Sequence, residues 1–115
     1  MTVHLNRAAL THARSLVKAG KVVRDEPGDW SADAPSADDE NDFIDDNSYA
    51  DYAKWHLGVD DDSARETKGH YKFPFGDFAK VHRCGVIAIE SRAAQNDYDD
   101  IAKAAKNLLA LIDSE

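Results

Sequence analysis

The strongest constraint on the fold of this chain is an apolar stripe near its carboxyl end. Ile101, Ala105, Leu108 and Ile112 recur at i, i+4, i+7 and i+11, the spacing of one face of an α-helix. Asp97 stands before the stripe as the predicted N-cap. Because most helical stability comes from burying such a face, the stripe predicts a terminal helix packed on the core of a single domain.

Further helix signals precede the stripe. A first helix is predicted between Asn6, a suitable N-cap, and Gly20, a suitable terminator. Three later serines each precede an acidic residue by three positions, the spacing of a capping box, in the pairs Ser36–Asp39, Ser48–Asp51 and Ser63–Glu66. These pairs predict helices over about 37–46 and 49–57 and one turn at 64–68.

The segment Tyr71–Phe78, YKFPFGDF, is predicted to be an aromatic loop, because Pro74 interrupts a helix and Gly76 supplies a turn. A helix is predicted from about 79 to 95, although residues 84–89 alone also fit a buried strand. Residues 21–23 have extended character but are too few to found a sheet. The expected fold class is therefore all-α: a compact bundle of about four to five short helices, with the aromatic loop packed on the last two.

Charge divides the predicted single domain, residues 1–115, into three parts. Residues 1–24 form a basic N-terminal helix with five Lys or Arg and no acid, whereas residues 25–62 hold fourteen acids and one base. Residues 63–115, the expected helical core with the aromatic loop, hold eight of each. The net charge of −8 argues against a duplex-DNA partner, since phosphate binding needs a cationic surface.

The chain has no sequence signal for a membrane. Its longest apolar run, Leu108–Ile112, is five residues, and the amino terminus has no secretory pattern. We therefore expect a cytoplasmic protein without a membrane partner, as a monomer or weak homo-oligomer. The single cysteine, Cys84, excludes an intramolecular disulfide and any multi-cysteine zinc module.

Reactive side chains are densest between residues 70 and 92. His82 and Cys84 are two residues apart, so on one helix they would point about 200° away from each other. The two side chains could then bind one metal ion only if the helix began later than about residue 79. No cofactor or metal is predicted. A small enzyme with a cleft around His82, Cys84 and Glu90 is an alternative, but we favour a protein without catalysis.

Cationic and aromatic residues alternate in the same region, a mixture that suits an anion or a stacked base as well as internal ion pairs. Tyr49, Tyr52, Trp55 and His56 fit a core-facing aromatic face better than a ligand pocket. The candidate binding residues are Trp55, His56, Lys68, Tyr71, Lys72, Phe73, Asp77, His82, Arg83, Glu90 and Arg92.

Several motifs from Trp30 onward occur together in one family. They are KWHLG at 54–58, ETKG at 66–69, YKFPFGDF at 71–78, KVHRCG at 80–85 and ESRA at 90–93 followed by Gln95. In these motifs the chain resembles a family of small bacterial proteins with no established activity. A weaker likeness, carried by residues 71–74 and the helix after them, links it to a helical module of phage-derived head-maturation proteins, and implies no catalytic residues.

The function expected from the sequence is a non-catalytic interaction or accessory domain, organised around residues 68–92, with a protein partner. Besides the enzyme, a second alternative is an acidic decoy in which residues 38–62 mimic nucleic-acid phosphates toward a basic partner. A solvated acidic surface is the simpler interpretation of those residues.

Overall fold

The computed structural model describes residues 3–64 and 67–114, which form a mixed α/β fold. The helices are α1 (Arg7–Lys18), α2 (Trp30–Asp33), α3 (Ala37–Asp46), α4 (Tyr49–Ala53), α5 (Arg83–Gln95) and α6 (Asp99–Ser114). The strands are β1 (Val3–Leu5), β2 (Val22–Val23), β3 (His56–Asp60), β4 (Tyr71–Pro74) and β5 (Val81–His82). A single 3₁₀ turn, Lys68–His70, precedes β4.

The all-α expectation is wrong, because the described residues contain two small sheets. One is antiparallel in the order β1-β3-β4, with Leu5 opposite Gly58 and Gly58 opposite Lys72. The other pairs β2 with β5 in parallel, with Val22 opposite Val81. Strands of two to five residues are too short to show a clear alternation of apolar and polar residues. They form because they pair with strands from other parts of the chain. Val22–Val23, too short to found a sheet alone, is completed by β5.

The strands also move the predicted helix boundaries. Helix α3 spans 37–46 as predicted, with the reciprocal Ser36–Asp39 capping box formed. Helix α4 ends at Ala53, because the chain continues into β3. Helix α5 begins at Arg83 rather than near 79, because the two residues before it pair with β2. The predicted turn at 64–68 includes residues 65 and 66, which lie outside the described residues.

The predicted apolar stripe forms the centre of the core. Ile101, Ala105, Leu108 and Ile112 of α6 are fully buried, and they share one cluster with Trp55, Phe75 and the buried alanines of α1. The structure does not place Asp97 as the N-cap: Asp97 has left-handed backbone (φ 61°), and α6 begins two residues later. The stripe therefore packs on the core of the domain, as its spacing predicts.

The segment 71–78 does not pack as one loop on the last two helices. Its first half is β4, an edge strand whose Phe73 ring contacts Tyr98 at a centroid distance of 6.0 Å. Phe75 is fully buried in the core, and Phe78 stacks on Phe43 of α3 at 4.4 Å. The segment therefore joins the acidic middle of the chain to the core.

Among residues 3–64 and 67–114, no helix is both long enough and apolar enough to cross a membrane.

Candidate functional site

Two of the predicted binding residues, Trp55 and His56, belong to the core. Trp55 lies against Phe75, and the His56 side chain is enclosed by the rings of Tyr52 and Tyr71. The Nδ1–H of His56 donates to the carbonyl oxygen of Tyr52 at 2.9 Å. Burial lowers the pKa of His56 to about 4, so this ring is neutral at pH 7. The core interpretation of these two residues is therefore correct.

Two predicted cations connect elements of the fold. The Nζ of Lys68 lies 3.4 Å from Glu40 of α3, and it donates to the Ala37 carbonyl at 3.2 Å. Arg83 donates from two nitrogens to the carboxylate of Asp113 at 2.9 and 3.3 Å, which joins the start of α5 to the end of α6. Both side chains serve as structural contacts.

Glu90 lies away from His82 and Cys84, with which the sequence groups it, and the candidate binding residue Tyr71 packs on another tyrosine. The Tyr71 ring stacks with that of Tyr49 at a centroid distance of 6.3 Å. Glu90 is half-buried on α5, about 9 Å along the helix axis from Cys84. The structure thus brings His82 and Cys84 together without Glu90.

His82, the last residue of β5, lies between two carboxylates. Its Nδ1–H donates to Oδ2 of Asp25 and its Nε2–H donates to Oδ2 of Asp77, each at 2.8 Å. Burial by itself would lower the pKa of His82, but the hydrogen bonds that it donates to Asp77 and Asp25 raise this pKa above its ordinary value. The ring can donate from both nitrogens only as an imidazolium, so the two carboxylates favour the charged form of this buried histidine.

Cys84 completes the group from the first turn of α5. Its backbone N–H donates to Oδ1 of Asp25 at 2.8 Å, and its thiol also hydrogen-bonds this carboxylate. Burial, then the negative charge of Asp25, raises the pKa of the Cys84 thiol to about 12. With 1% of its surface exposed, the thiol is both protonated and covered, which argues against a nucleophilic role.

Asp25 and Asp33 are the members of this group that sequence reasoning missed. They lie 57 and 49 positions before His82, in an acidic loop where no motif distinguishes them. One signal was present: Trp30, between them, was the only large apolar residue of that loop. The Trp30 ring packs on His82 at a centroid distance of 5.7 Å. It also covers Gly85, where an added Cβ would meet the ring at 3.2 Å.

On the other side of Trp30 lies a groove of about 310 Å³ between β4 and α5. Its apolar wall includes Trp30, Phe73, Ile89 and Tyr98, and its rim carries Lys72, Arg92 and Asn96. The rim side chains are exposed. Neither Lys72 nor Arg92 forms an ion pair within residues 3–64 and 67–114. Three of the predicted binding residues, Lys72, Phe73 and Arg92, thus meet in one place.

The shape of this groove depends on an unusual backbone conformation. Phe73 has a φ of 63°, which a bulky residue rarely adopts, although it lies inside β4. Its ring lies across Gly58 of β3, where an added Cβ would come within 2.8 Å of Phe73 Cδ2. Left-handed backbone of this kind costs about 1–3 kcal/mol and is common at binding sites. The neighbouring glycine leaves the room that this conformation needs.

Comparisons of the chain with models of protein families, with curated proteins and with solved structures find no match. The likeness to small bacterial proteins and to the phage-derived module therefore stays a prediction from the motifs alone.

Proposed function

We propose that this protein is a non-catalytic interaction domain, and that the groove between β4 and α5 binds an apolar segment of a partner protein next to an acidic side chain. The observation that carries the proposal is the position of Lys72 and Arg92. In a chain of net charge −8, these two exposed cations flank an aromatic groove without an ion pair in the described part of the chain.

The chemistry of the groove indicates what the partner offers. Trp30, Phe73 and Tyr98 supply apolar area with few rotatable bonds, and aromatic residues and arginine are the types enriched at protein interfaces. A carboxylate of the partner would pair with the Arg92 guanidinium, which can hold both of its oxygens. An apolar side chain beside that carboxylate would fill the space over Phe73.

The exposure of the rim favours a segment of a protein over a small metabolite. Pockets for small ligands enclose most of the ligand surface. Here Lys72, Arg92 and Asn96 all face solvent, so an occupant of the groove stays partly in water. A peptide that enters with one or two side chains and leaves the rest outside matches this geometry.

The two alternatives receive less support. The enzyme alternative places a cleft around His82, Cys84 and Glu90, but the thiol of Cys84 is covered and protonated. The decoy alternative rests on exposed carboxylates of α3, such as Asp38, Asp42 and Asp45. Exposed acidic residues are also what a solvated helix face requires.

A peptide library displayed on phage, selected on the immobilised protein at low salt, tests the proposal. We expect the selected sequences to share an apolar residue next to Asp or Glu. A representative peptide is then titrated against the parent protein and against the double variant Lys72→Gln/Arg92→Gln, which should bind at least tenfold more weakly.

The matched control is Lys103→Gln/Lys106→Gln, which changes the net charge by the same amount on exposed positions of α6. This control should bind the peptide as the parent does. Equal binding by both double variants, or the absence of a shared sequence among selected peptides, would contradict the proposal.

A further inference from the structure

The group around His82 brings together four side chains from separate parts of the chain. Asp25 follows β2, Asp33 ends α2, His82 ends β5 and Cys84 lies in the first turn of α5. One ligand atom from each lies within 4.8 Å of the others. The objection that His82 and Cys84 point apart on one helix does not apply, because α5 begins at Arg83 and His82 precedes it.

These separations are close to those of a four-coordinate metal site. Bonds of about 2.0–2.3 Å in a tetrahedral zinc site place neighbouring ligand atoms about 3.5 Å apart. The Nδ1 of His82 lies 2.8 Å from Oδ2 of Asp25 and 4.0 Å from Oδ2 of Asp33. Shifts of roughly 1 Å would therefore bring the four atoms around one ion.

The donor types point to a particular class of metal. A thiolate and an imidazole prefer zinc and other late first-row metals, whereas Ca²⁺ and Mg²⁺ prefer oxygen ligands alone. One sulfur, one nitrogen and two carboxylate oxygens form a set that Zn²⁺ accepts. The group is thus distinct from the purely acidic surface of α3.

Asp77, which is not one of the four, supplies independent support. It accepts a hydrogen bond from Nε2 of His82 on the side of the ring away from the group. Histidines that bind metals usually donate their other ring N–H to a carboxylate or carbonyl, which fixes the ring orientation and leaves the inner nitrogen for the ion. His82 is already held in this way, with Nδ1 toward Asp25, Asp33 and Cys84.

We propose that Asp25, Asp33, His82 and Cys84 form a site for one Zn²⁺ ion. Binding releases two protons to solvent, the one on Nδ1 of His82 and the one on the Cys84 thiol, and the ion takes their places. Asp33, which is exposed, lies at the entrance of the site. The bound ion would fasten both ends of the 25–33 loop to β5 and α5, with Trp30 held between them. This site does not depend on what occupies the groove.

Cobalt titration of EDTA-treated protein is the test, because Co²⁺ replaces Zn²⁺ in such sites and has visible absorption. We expect one equivalent of Co²⁺ to give the charge-transfer band of a thiolate–cobalt bond and the bands of four-coordinate cobalt, and Zn²⁺ to displace it. Zn²⁺ should also raise the Tm of the parent protein, since it binds the folded state.

Four variants locate the ion. Cys84→Ser should lose the charge-transfer band. Asp33→Asn should weaken Zn²⁺ binding at least tenfold, and Asp77→Asn about 10–100-fold through the orientation of His82. Asp45→Asn, a neutralised exposed carboxylate of α3, should bind Zn²⁺ as the parent does.

Two of these variants keep the test decisive if Cys84→Ser does not fold. Asp33 is on the surface, and Asn at position 77 retains the Oδ1 acceptor that bonds the N–H groups of Ala79 and Lys80. The absence of a charge-transfer band at one equivalent in the parent protein would overturn the proposal. Zn²⁺ affinity unchanged in both Asp33→Asn and Asp77→Asn would do the same.

Discussion

Two buried histidines of this protein have pKa values that are shifted in opposite directions. His56 and His82 are 2% and 6% exposed, and each follows a lysine by two positions in similar motifs, KWHLG and KVHRCG. His56 contacts the Tyr52 ring at a centroid distance of 4.4 Å, and its Nδ1–H donates to the carbonyl oxygen of Tyr52. His82 lies between the carboxylates of Asp25 and Asp77. Burial lowers the pKa of the first, while carboxylates outweigh burial and raise the pKa of the second.

Burial alone therefore does not determine the role of a histidine in this protein. A histidine among aromatic rings is a neutral packing element, because one hydrogen bond to a carbonyl does not outweigh the burial that disfavours its charge. A histidine between carboxylates holds a proton that a metal ion can replace. The elements around each ring, which come from distant parts of the sequence, determine which of the two roles it has.

The largest expected effect on stability comes from removing His82. In EDTA at pH 7, His82→Ala should lower the free energy of unfolding by about 3–5 kcal/mol, because it leaves Asp25 buried without its charged partner. Urea denaturation measures the loss. Adding Asp25→Asn to this variant should recover part of it. A loss below about 1 kcal/mol would mean that water already solvates Asp25.

Reaction of Cys84 with a thiol reagent probes the same group. The pKa of about 12, against 9.0 for an ordinary thiol, leaves about a thousandfold less thiolate, so native protein in EDTA should react at least that much more slowly than unfolded protein. Asp25→Asn should speed the reaction, since it removes the nearest negative charge. Labelling of the native parent at the rate of a free thiol would contradict the burial of Cys84 and revive the enzyme alternative.

The acid limb of the stability curve should report on His56. Its pKa is about 4 in the folded chain and 6.5 when unfolded, so the unfolded state binds the proton first as the pH falls. The contribution of His56 to stability should therefore decrease by about 2 kcal/mol between pH 7 and pH 5. The contribution of His82 has the opposite sign: it is fully present below pH 6.5 and is lost as the pH rises through its raised folded pKa.

Denaturation of His56→Gln at both pH values checks this assignment. In His56→Gln the loss of stability between pH 7 and pH 5 should be smaller than in the parent but not zero, because burial also lowers the pKa of His12. Asp25 and Asp77, whose pKa values lie below 3.8, do not titrate in this window. An acid limb equally steep in His56→Gln would contradict a neutral His56.

The helices illustrate what could be predicted from the sequence. The stripe of α6 and the capping box of α3 are local patterns, and both are present. The strands could not be predicted in the same way. Val22–Val23 becomes a strand only because Val81–His82 lies beside it, and His56–Asp60 only because β1 and β4 flank it. The error in fold class and the error at the start of α5 have this one cause.

The candidate sites show the same limit. Lys72, Phe73 and Arg92 were identified from a mixture of cationic and aromatic residues, and the fold brings them to one groove. Asp25 and Asp33 were not identified, because among seventeen aspartates only their position beside His82 distinguishes them. Residue type can be read locally, but the contacts that give Asp25 its role span 57 and 59 positions.

The smallest expected effect separates two neighbouring carboxylates of α3, one with a hydrogen-bonded partner and one without. Oδ2 of Asp39 accepts the backbone N–H of Ser36 at 3.1 Å, and Asp38 has no such bond among the described residues. Both lie in the first turn and gain equally from the helix dipole, so the difference between Asp39→Ala and Asp38→Ala isolates the cap. We expect Asp39→Ala to lose about 0.5–1 kcal/mol more in urea denaturation at both low and high salt. If this difference disappears in molar salt, it comes from charge interactions that salt screens. The hydrogen bond between Asp39 and Ser36 would then contribute no more to stability than the water around Asp38 does.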